Sequence, residues 1–375
     1  MTSKSPTRDR LTWISYFQAA CFGWIIYGFG PAVQLLRTDL HLSTTVTALH
    51  SLFLATGSIL AGIIGAGLTH RVGRGVLLRM ASFILLSSTI VFVSTHTVAL
   101  TLLSALFFGL AGSTIVQSTA AFLDAHQGDS APSAISELHA VTAGIGLFSP
   151  VLIGLSVSLD LGWRTAVLVV AIGIVTLELV RGRFIHPYSV QNIEQEQNLN
   201  EPSSSLPWLY WSCLVVMVCT ASTEFSMLFW SSELLQQQGG LGAGASTAAL
   251  GCVVGAMFIG RWLGARLATK FDAETLYLAS LGLSLVGFLI FWLDDQAVIM
   301  MVGLTLTGLG MSVHFPLGIA RAMRASAGQT DRAAGIISIG AGLASGIAPF
   351  ALGTLADRAS THTAYAIVPI VLTVG

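Results

Sequence analysis

The 375 residues are 54% hydrophobic and only 9% charged, with a mean hydropathy of +0.78 and a formal net charge of −1. A soluble domain carries roughly a quarter of its residues as Asp, Glu, Lys and Arg, so much of this apolar surface must face lipid, which excludes an ordinary soluble protein. The near-neutral balance and the lack of any basic stripe exclude a nucleic-acid partner.

Taken in chain order, the polar, basic segment 1–10 is followed by a long apolar run containing Gly28, Gly30 and Pro31. No small-residue cleavage site follows a short apolar core, so this run is read as a first membrane span and not as a removable signal peptide. A span needs about 20 mostly apolar residues. On that criterion helices are predicted over 12–36, 44–68, 76–95, 97–123, 135–158, 163–183, 207–232, 244–267, 275–293, 296–320, 332–356 and 363–375. The last segment is too short to cross alone, so the twelfth helix is expected to be incomplete in this sequence.

Of the 17 basic residues, all but Arg37, Arg164 and Arg358 fall on one set of alternating loops and helix ends. The positive-inside rule makes that side cytoplasmic and places the N-terminus there, as in a multi-pass protein of a cell membrane. The one long polar stretch, 184–206, is rich in Gln, Asn, Glu and Ser, and is expected to be a cytoplasmic linker. It separates an N-terminal six-helix bundle, 1–183, from a C-terminal one, 207–375.

The two halves align at a single spacing. Gly65-Ala66-Gly67-Leu68 matches Gly264-Ala265-Arg266-Leu267, Gly109-Leu110 matches Gly308-Leu309, and Pro150 with Gly154 matches Pro349 with Gly353. Three helix pairs sharing one offset imply parallel repeats, an arrangement that places a solute site at their interface near the bilayer midplane. The fold class is therefore all-α, with two pseudo-symmetric six-helix bundles. The four cysteines, Cys21, Cys213, Cys219 and Cys252, lie in apolar runs without metal-ligand spacing and read as small helix residues. No metal or cofactor is expected. No phosphate-binding Gly-rich loop followed by Lys and Ser or Thr is present, so nucleotide-driven pumping is not expected.

The loop Gly67-Leu68-Thr69-His70-Arg71-Val72-Gly73-Arg74 resembles the signature loop between the second and third spans of the major facilitator superfamily. Arg71, Gly73 and Arg74 fit the pattern; His70 stands where the family has Asp. A weaker copy follows at Gly260-Arg261 and Gly264 to Lys270, and Gly162-Trp163-Arg164 is also similar to members of that family. The resemblance implies secondary transport by alternating access, with Arg71, Gly73 and Arg74 gating the cytoplasmic side against Asp124 and Glu137. It also implies that spans 1, 4, 7 and 10 line a central cavity. Gly146, Pro150 and Gly154 partly match a motif of proton-coupled drug exporters, although a kinked, closely packed helix explains them as well.

An ionisable side chain at mid-bilayer is costly and marks a functional site by default. Glu224, deep in span 7, is the leading one, placed to contact solute or to take and release a proton. His314 beside Pro316 on span 10, Gln117 on span 4, Tyr27 and Gln34 on span 1, and Trp230 on span 7 complete the expected solute or proton-coupling set. His50 and His139 are read as snorkelling toward water. No Arg or Lys is placed near mid-membrane on the cavity-lining spans, which argues for a non-anionic solute.

The expected function is proton-coupled transport of a small organic solute across the bilayer by a monomer. Efflux of a metabolite or drug-like molecule is favoured over import of a sugar-like nutrient, and a transporter-like membrane sensor is the alternative of another class. The intramembrane polar residues are scattered one per helix, which does not suit an enzyme.

Overall fold

The computed structural model describes residues 6–182, 205–267, 270–327 and 329–374, and every regular element among them is helical. The expected linker lies outside the described residues apart from its last two. The first half contains α1 (Arg10–Leu40), α2 (Thr44–Val72), α3 (Arg74–Ser94), α4 (Val98–Gln127), α5 (Ala131–Gly146), α6 (Phe148–Ser158) and α7 (Trp163–Arg181). The second contains α8 (Trp208–Gln237), α9 (Ala243–Leu267), α10 (Ala273–Leu293), α11 (Ala297–Met311), α12 (His314–Arg324), α13 (Thr330–Arg358), α14 (Thr361–Ala364) and α15 (Ile367–Val374). Eleven stretches among the described residues are long and apolar enough to cross a membrane, and Thr361–Thr373 is a shorter apolar pair of helices. A chain with this many spans is a multi-pass membrane protein.

Local chemistry explains the boundaries. Asp9 caps α1 by accepting from the Thr12 backbone N–H at 2.9 Å, and Ser43 caps α2 in the same way. The fifth span is broken at Leu147 between α5 and α6, and the tenth between α11 and α12. In each case a proline, Pro150 or Pro316, sits at the third position of the second segment. A proline ring clashes with the carbonyl four residues earlier and removes a hydrogen bond, which locates the breaks at Gly146 and Ser312. Pro31 and Pro349 lie inside helices that continue through them. Beside that proline, the Trp230 indole N–H of α8 donates to the Pro349 carbonyl at 2.9 Å.

The internal repeat is visible in the packing. A Cβ added at Gly109 on α4 would fall on the Leu54 carbonyl oxygen of α2, and one at Gly308 on α11 would fall on the Val253 carbonyl oxygen of α9. Leu54 and Val253 are separated by the same spacing as Gly109 and Gly308. Small residues at these crossings let two backbones touch, the main attraction open to helices in lipid.

His50 departs from expectation. It is fully buried, with Nδ1 3.0 Å from the Thr47 carbonyl and Nε2 2.9 Å from the Thr101 hydroxyl. It joins α2 to α4 and does not snorkel, because the threonine hydroxyl satisfies it inside the bundle. His50→Leu is therefore expected to cost about 1–3 kcal/mol of stability, read as a lower unfolding temperature in detergent with unchanged transport per folded molecule.

Candidate functional site

The seam between the halves is closed on the membrane face opposite the N-terminus. There Arg37 at the end of α1 pairs with Glu233 of α8 at 2.8 Å. Asp357 of α13 accepts from the Thr44 and Thr45 backbone N–H groups at 2.9 and 2.7 Å, and also from the Thr44 hydroxyl. A carboxylate at these positions caps α2 and meets the positive end of its dipole. Deeper in, Ser51 donates to the Gly346 carbonyl at 3.2 Å and the Gln34 amide donates to the Phe229 carbonyl at 3.2 Å. Phe29 meets Phe92, Phe108 and Phe229 with ring centroids 6.1–6.3 Å apart, plugging the centre.

Toward the N-terminal face the halves diverge. Between α6 and α9 a Cβ at Gly154 would lie 2.6 Å from the Ala248 nitrogen, whereas between α5 and α9 a Cβ at Gly144 would meet nothing closer than the Phe258 ring at 3.4 Å. Lower still, Gly67 on α2 and Gly335 on α13 would meet nothing within 4 Å. Ion pairs between described residues on this face stay within one half: Arg8 with Glu137, His126 with Asp9 and Arg79 with Glu178 in the first, Arg321 with Glu274 in the second. The conformation is thus sealed on one side and open on the N-terminal side.

Where the divergence begins, three helices bring their polar side chains together. Arg261 of α9 reaches Glu224 of α8, with Nη2 3.8 Å from Oε1, and its Nη1 donates to the Tyr27 hydroxyl of α1 at 3.4 Å. The Arg261 and Glu224 side chains are 25% and 13% exposed, so the pair is enclosed by helices yet reachable from the open side. The Tyr27 ring packs where a side chain at Gly146 would otherwise stand. His139 of α5 is exposed and near enough to Arg261 for charge to act between them. Beyond Glu224, toward the sealed face, a small cavity of about 20 Å³ is lined by Ile26, Phe29, Leu54, Phe225, Phe229 and Pro349, with Ser51 and Ser345 among its polar groups.

The expected site residues therefore separate into three groups. Glu224 and Tyr27 meet, through Arg261. Gln34 lies in the sealed seam, whereas Trp230 is wholly buried inside the second half, against α13. Gln117 is exposed beside Gly62 and Gly65 of α2. His314 is buried inside the second half against the Tyr277 ring, centroids 5.7 Å apart. Neither of its ring nitrogens makes a well-formed hydrogen bond, the closest being a loose one to the Ser280 backbone.

On the N-terminal face Glu137 is held by Arg8 and by the Tyr16 hydroxyl at 3.2 Å, while Arg71 is exposed and Arg74 half-buried. Among the described residues neither arginine pairs with Asp124 or Glu137.

Arg261 is the residue that sequence reasoning misplaced. It lies six residues inside the end of α9, about 9 Å at 1.5 Å per residue, and its side chain extends further toward mid-membrane. Counting it among the cytoplasmic charges concealed it: it belongs to span 8, outside the spans 1, 4, 7 and 10 expected to line the cavity, yet its side chain reaches Glu224 of span 7. The usable signal was its depth: a basic residue nearly two turns inside a span needs an anion.

The seam's polar contacts carry a prediction. Asp357→Ala removes a cap worth about 1 kcal/mol, roughly a five-fold change in the balance between sealed and open states. With Ser51→Cys as reporter, in a background with the four native cysteines replaced, labelling by an impermeant maleimide from the sealed face is expected to quicken by about that factor. An unchanged rate counts against the cap as a latch.

Two repeat halves, a charge pair enclosed where they part and a seam closed on one side are the architecture of a transporter, not an enzyme. The Major Facilitator Superfamily profile matches residues 12–293 and 263–375, and the chain belongs to that family. No curated protein sequence matches it. Among solved structures it is similar to a mutant of the nucleoside transporter NupG, with a TM-score of 0.76 at 10% identity over 97% of this chain and 96% of that one. It is also similar to a bacterial homologue of the human lysosomal transporter Spinster, inward-facing and occupied, with a TM-score of 0.69 at 14% identity over 93% and 81%. A variant of the E. coli fucose:proton symporter FucP gives a TM-score of 0.65 at 14% identity over 96% of each chain.

Proposed function

We propose that the chain is a proton-coupled secondary transporter of a small organic solute, with Glu224 carrying the proton and Arg261 as its counter-charge. The observation that carries this reading is the Glu224–Arg261 contact at 3.8 Å, placed where the two halves part. A buried ion pair costs desolvation that only a good partner offsets. Protonating Glu224 weakens that partnership and loosens α8 from α9, while the Arg261–Tyr27 contact ties the same cation to the other half. A single proton thereby biases both intra-half and inter-half contacts, which a coupled carrier requires.

The basic-residue asymmetry makes the N-terminal face cytoplasmic, so the state described is inward-open. In the outward-open state the N-terminal face closes, and the gate set Arg71, Gly73, Arg74, Asp124 and Glu137, all on the first half, then forms the edge that meets the second half. A proton as coupling ion is also in keeping with the fucose:proton symporter among the similar structures. Gly146, Pro150 and Gly154 have packing and helix-breaking roles here, so the span-5 pattern assigns no direction, and export and import remain equal on that ground. A monomer suffices, since both halves of the site come from one chain.

The test is Glu224→Gln in proteoliposomes. The amide keeps the shape and cannot change charge, so pH-gradient-driven accumulation is expected to fall at least ten-fold while solute counterflow persists. Retention of wild-type pH dependence in the folded variant would sink the proposal.

A further inference from the structure

Arg261 satisfies few of its donors. A guanidinium offers five N–H groups in a fork matched to a carboxylate, and a close ion pair of this kind has N–O distances of about 2.7–2.9 Å. Here the contact to Glu224 is 3.8 Å and engages one oxygen, and the bond to Tyr27 is long at 3.4 Å. The Arg261 side chain remains 25% exposed beside these two contacts. When Glu224 is protonated, a cation enclosed by three helices is left without a full counter-charge, a state as costly as any unpaired intramembrane charge.

From this we infer that the solute is a monocarboxylate, whose carboxylate takes the place of ionised Glu224 on Arg261. The inference rests on the proton-coupled reading and adds the substrate class. The sequence of events is balanced in atoms and charge. A proton adds to a Glu224 carboxylate oxygen, the solute arrives as RCOO⁻ and pairs with Arg261, and the loaded site carries the same net charge as the empty one. On the far side RCOO⁻ leaves, the proton leaves Glu224, and the Glu224–Arg261 pair re-forms. One proton and one carboxylate cross together, and neither the loaded nor the empty carrier moves net charge.

The lining beyond Glu224 is mostly apolar, with Ile26, Leu54, Phe225 and Phe229 beside Ser51 and Ser345, and encloses only about 20 Å³ in this state, so the body of the acid lies on the open side of the pair. The other titratable groups near the pair are Tyr27 from α1 and His139 from α5. α12 contributes His314, seated on Tyr277, and Arg321, paired with Glu274; Tyr365, next to α15, is turned to Ser231. Among the described residues, Arg261 supplies the fixed positive charge beside Glu224.

The test uses lactate, 3-hydroxybutyrate and 3-phenyllactate, each beside its amide, with two readouts. In detergent at pH 5.5 the acids are expected to raise the unfolding temperature of the wild type and the amides are not; Arg261→Gln loses the effect and Arg261→Lys keeps part of it. In proteoliposomes, counterflow of the acids is expected to fall at least ten-fold in Arg261→Gln, with protein-free vesicles giving the passive leak. Wild-type transport should be insensitive to a potassium-diffusion potential. Stabilisation or transport of amides equal to that of acids, or of neither, overturns the carboxylate assignment. So does full acid transport in Arg261→Gln. If neutral solutes move and lose their pH dependence in Glu224→Gln, the proton-coupled reading stands and this inference alone falls.

Discussion

Gly154→Leu is expected to abolish net transport, at least a hundred-fold, while leaving a folded and monodisperse protein. In the sealed seam a Cβ at Gly154 would fall on the Gly244 carbonyl oxygen and lie 2.6 Å from the Ala248 nitrogen. Reciprocally, a Cβ at Gly244 would lie 2.7 Å from the Gly154 carbonyl. The obstacles are backbone atoms of the opposite half, which cannot rotate away as a side chain would. Overpacking against such atoms reaches about 3 kcal/mol, which displaces a two-state balance roughly a hundred-fold. The strain belongs to one state only. When the halves part on this face α6 and α9 separate, and the leucine has room. The variant is therefore expected to rest open on the face opposite the N-terminus, because a change that destabilises one state alone shifts the population to the other.

Spin labels at Leu161→Cys and Gln237→Cys, again without the native cysteines, read this directly: the mean distance between them should lengthen in Gly154→Leu relative to the parent. An unchanged distance distribution together with wild-type transport would show that the seam tolerates the side chain and that this crossing is not where the halves part.

The difference between what the residue pattern announced and what it concealed follows the same division. Span positions were legible because lipid demands about 20 apolar residues with satisfied backbone groups, a condition each segment meets within itself. The break beside Pro316 was foreseeable from the ring's own geometry. The one at Leu147 follows the same rule, and the kinked helix read beside the motif at Gly146, Pro150 and Gly154 is what stands there. The repeat was legible from Gly109 and Gly308, and its cause lies in the Leu54 and Val253 carbonyls they must clear. The site was legible only in part. Glu224 declared itself by being charged in mid-span, but its partner Arg261 sits near a helix end, where a cation ordinarily marks orientation. Trp230 and Gln34 have the composition of ligand-contacting residues, yet Trp230 bonds the Pro349 carbonyl inside the second half and Gln34 the Phe229 carbonyl across the seam. A pattern along one helix does not say which neighbour its polar residue will meet across an interface, and only those pairings distinguish a gate from a binding group.

Gly109→Val is the counterpart of the seam variant and is expected to fail differently. The clash is as severe: a Cβ at Gly109 would fall on the Leu54 carbonyl oxygen, and one at Gly57 on the Leu106 carbonyl oxygen. But α2 and α4 both belong to the first half, where His50 also bonds to Thr101 between them. In alternating access each half moves largely as a rigid body, so this crossing stays closed in every state. The strain therefore has no conformation in which to relax, and it burdens the folded protein as a whole. At about 3 kcal/mol or more, the folded yield is expected to drop several-fold, with a clearly lower unfolding temperature. The molecules that do fold should transport at a near-normal rate. Gly308→Val, its repeat mate against Val253, should behave alike, because the same contact recurs in the second half. Fluorescence-detected size-exclusion yield and thermal unfolding, set against transport per folded molecule, separate the two kinds of failure. A Gly109→Val protein with normal yield but a changed balance between the open and sealed states would mean that α2 slides on α4 during the cycle, and that the first half is not one rigid unit.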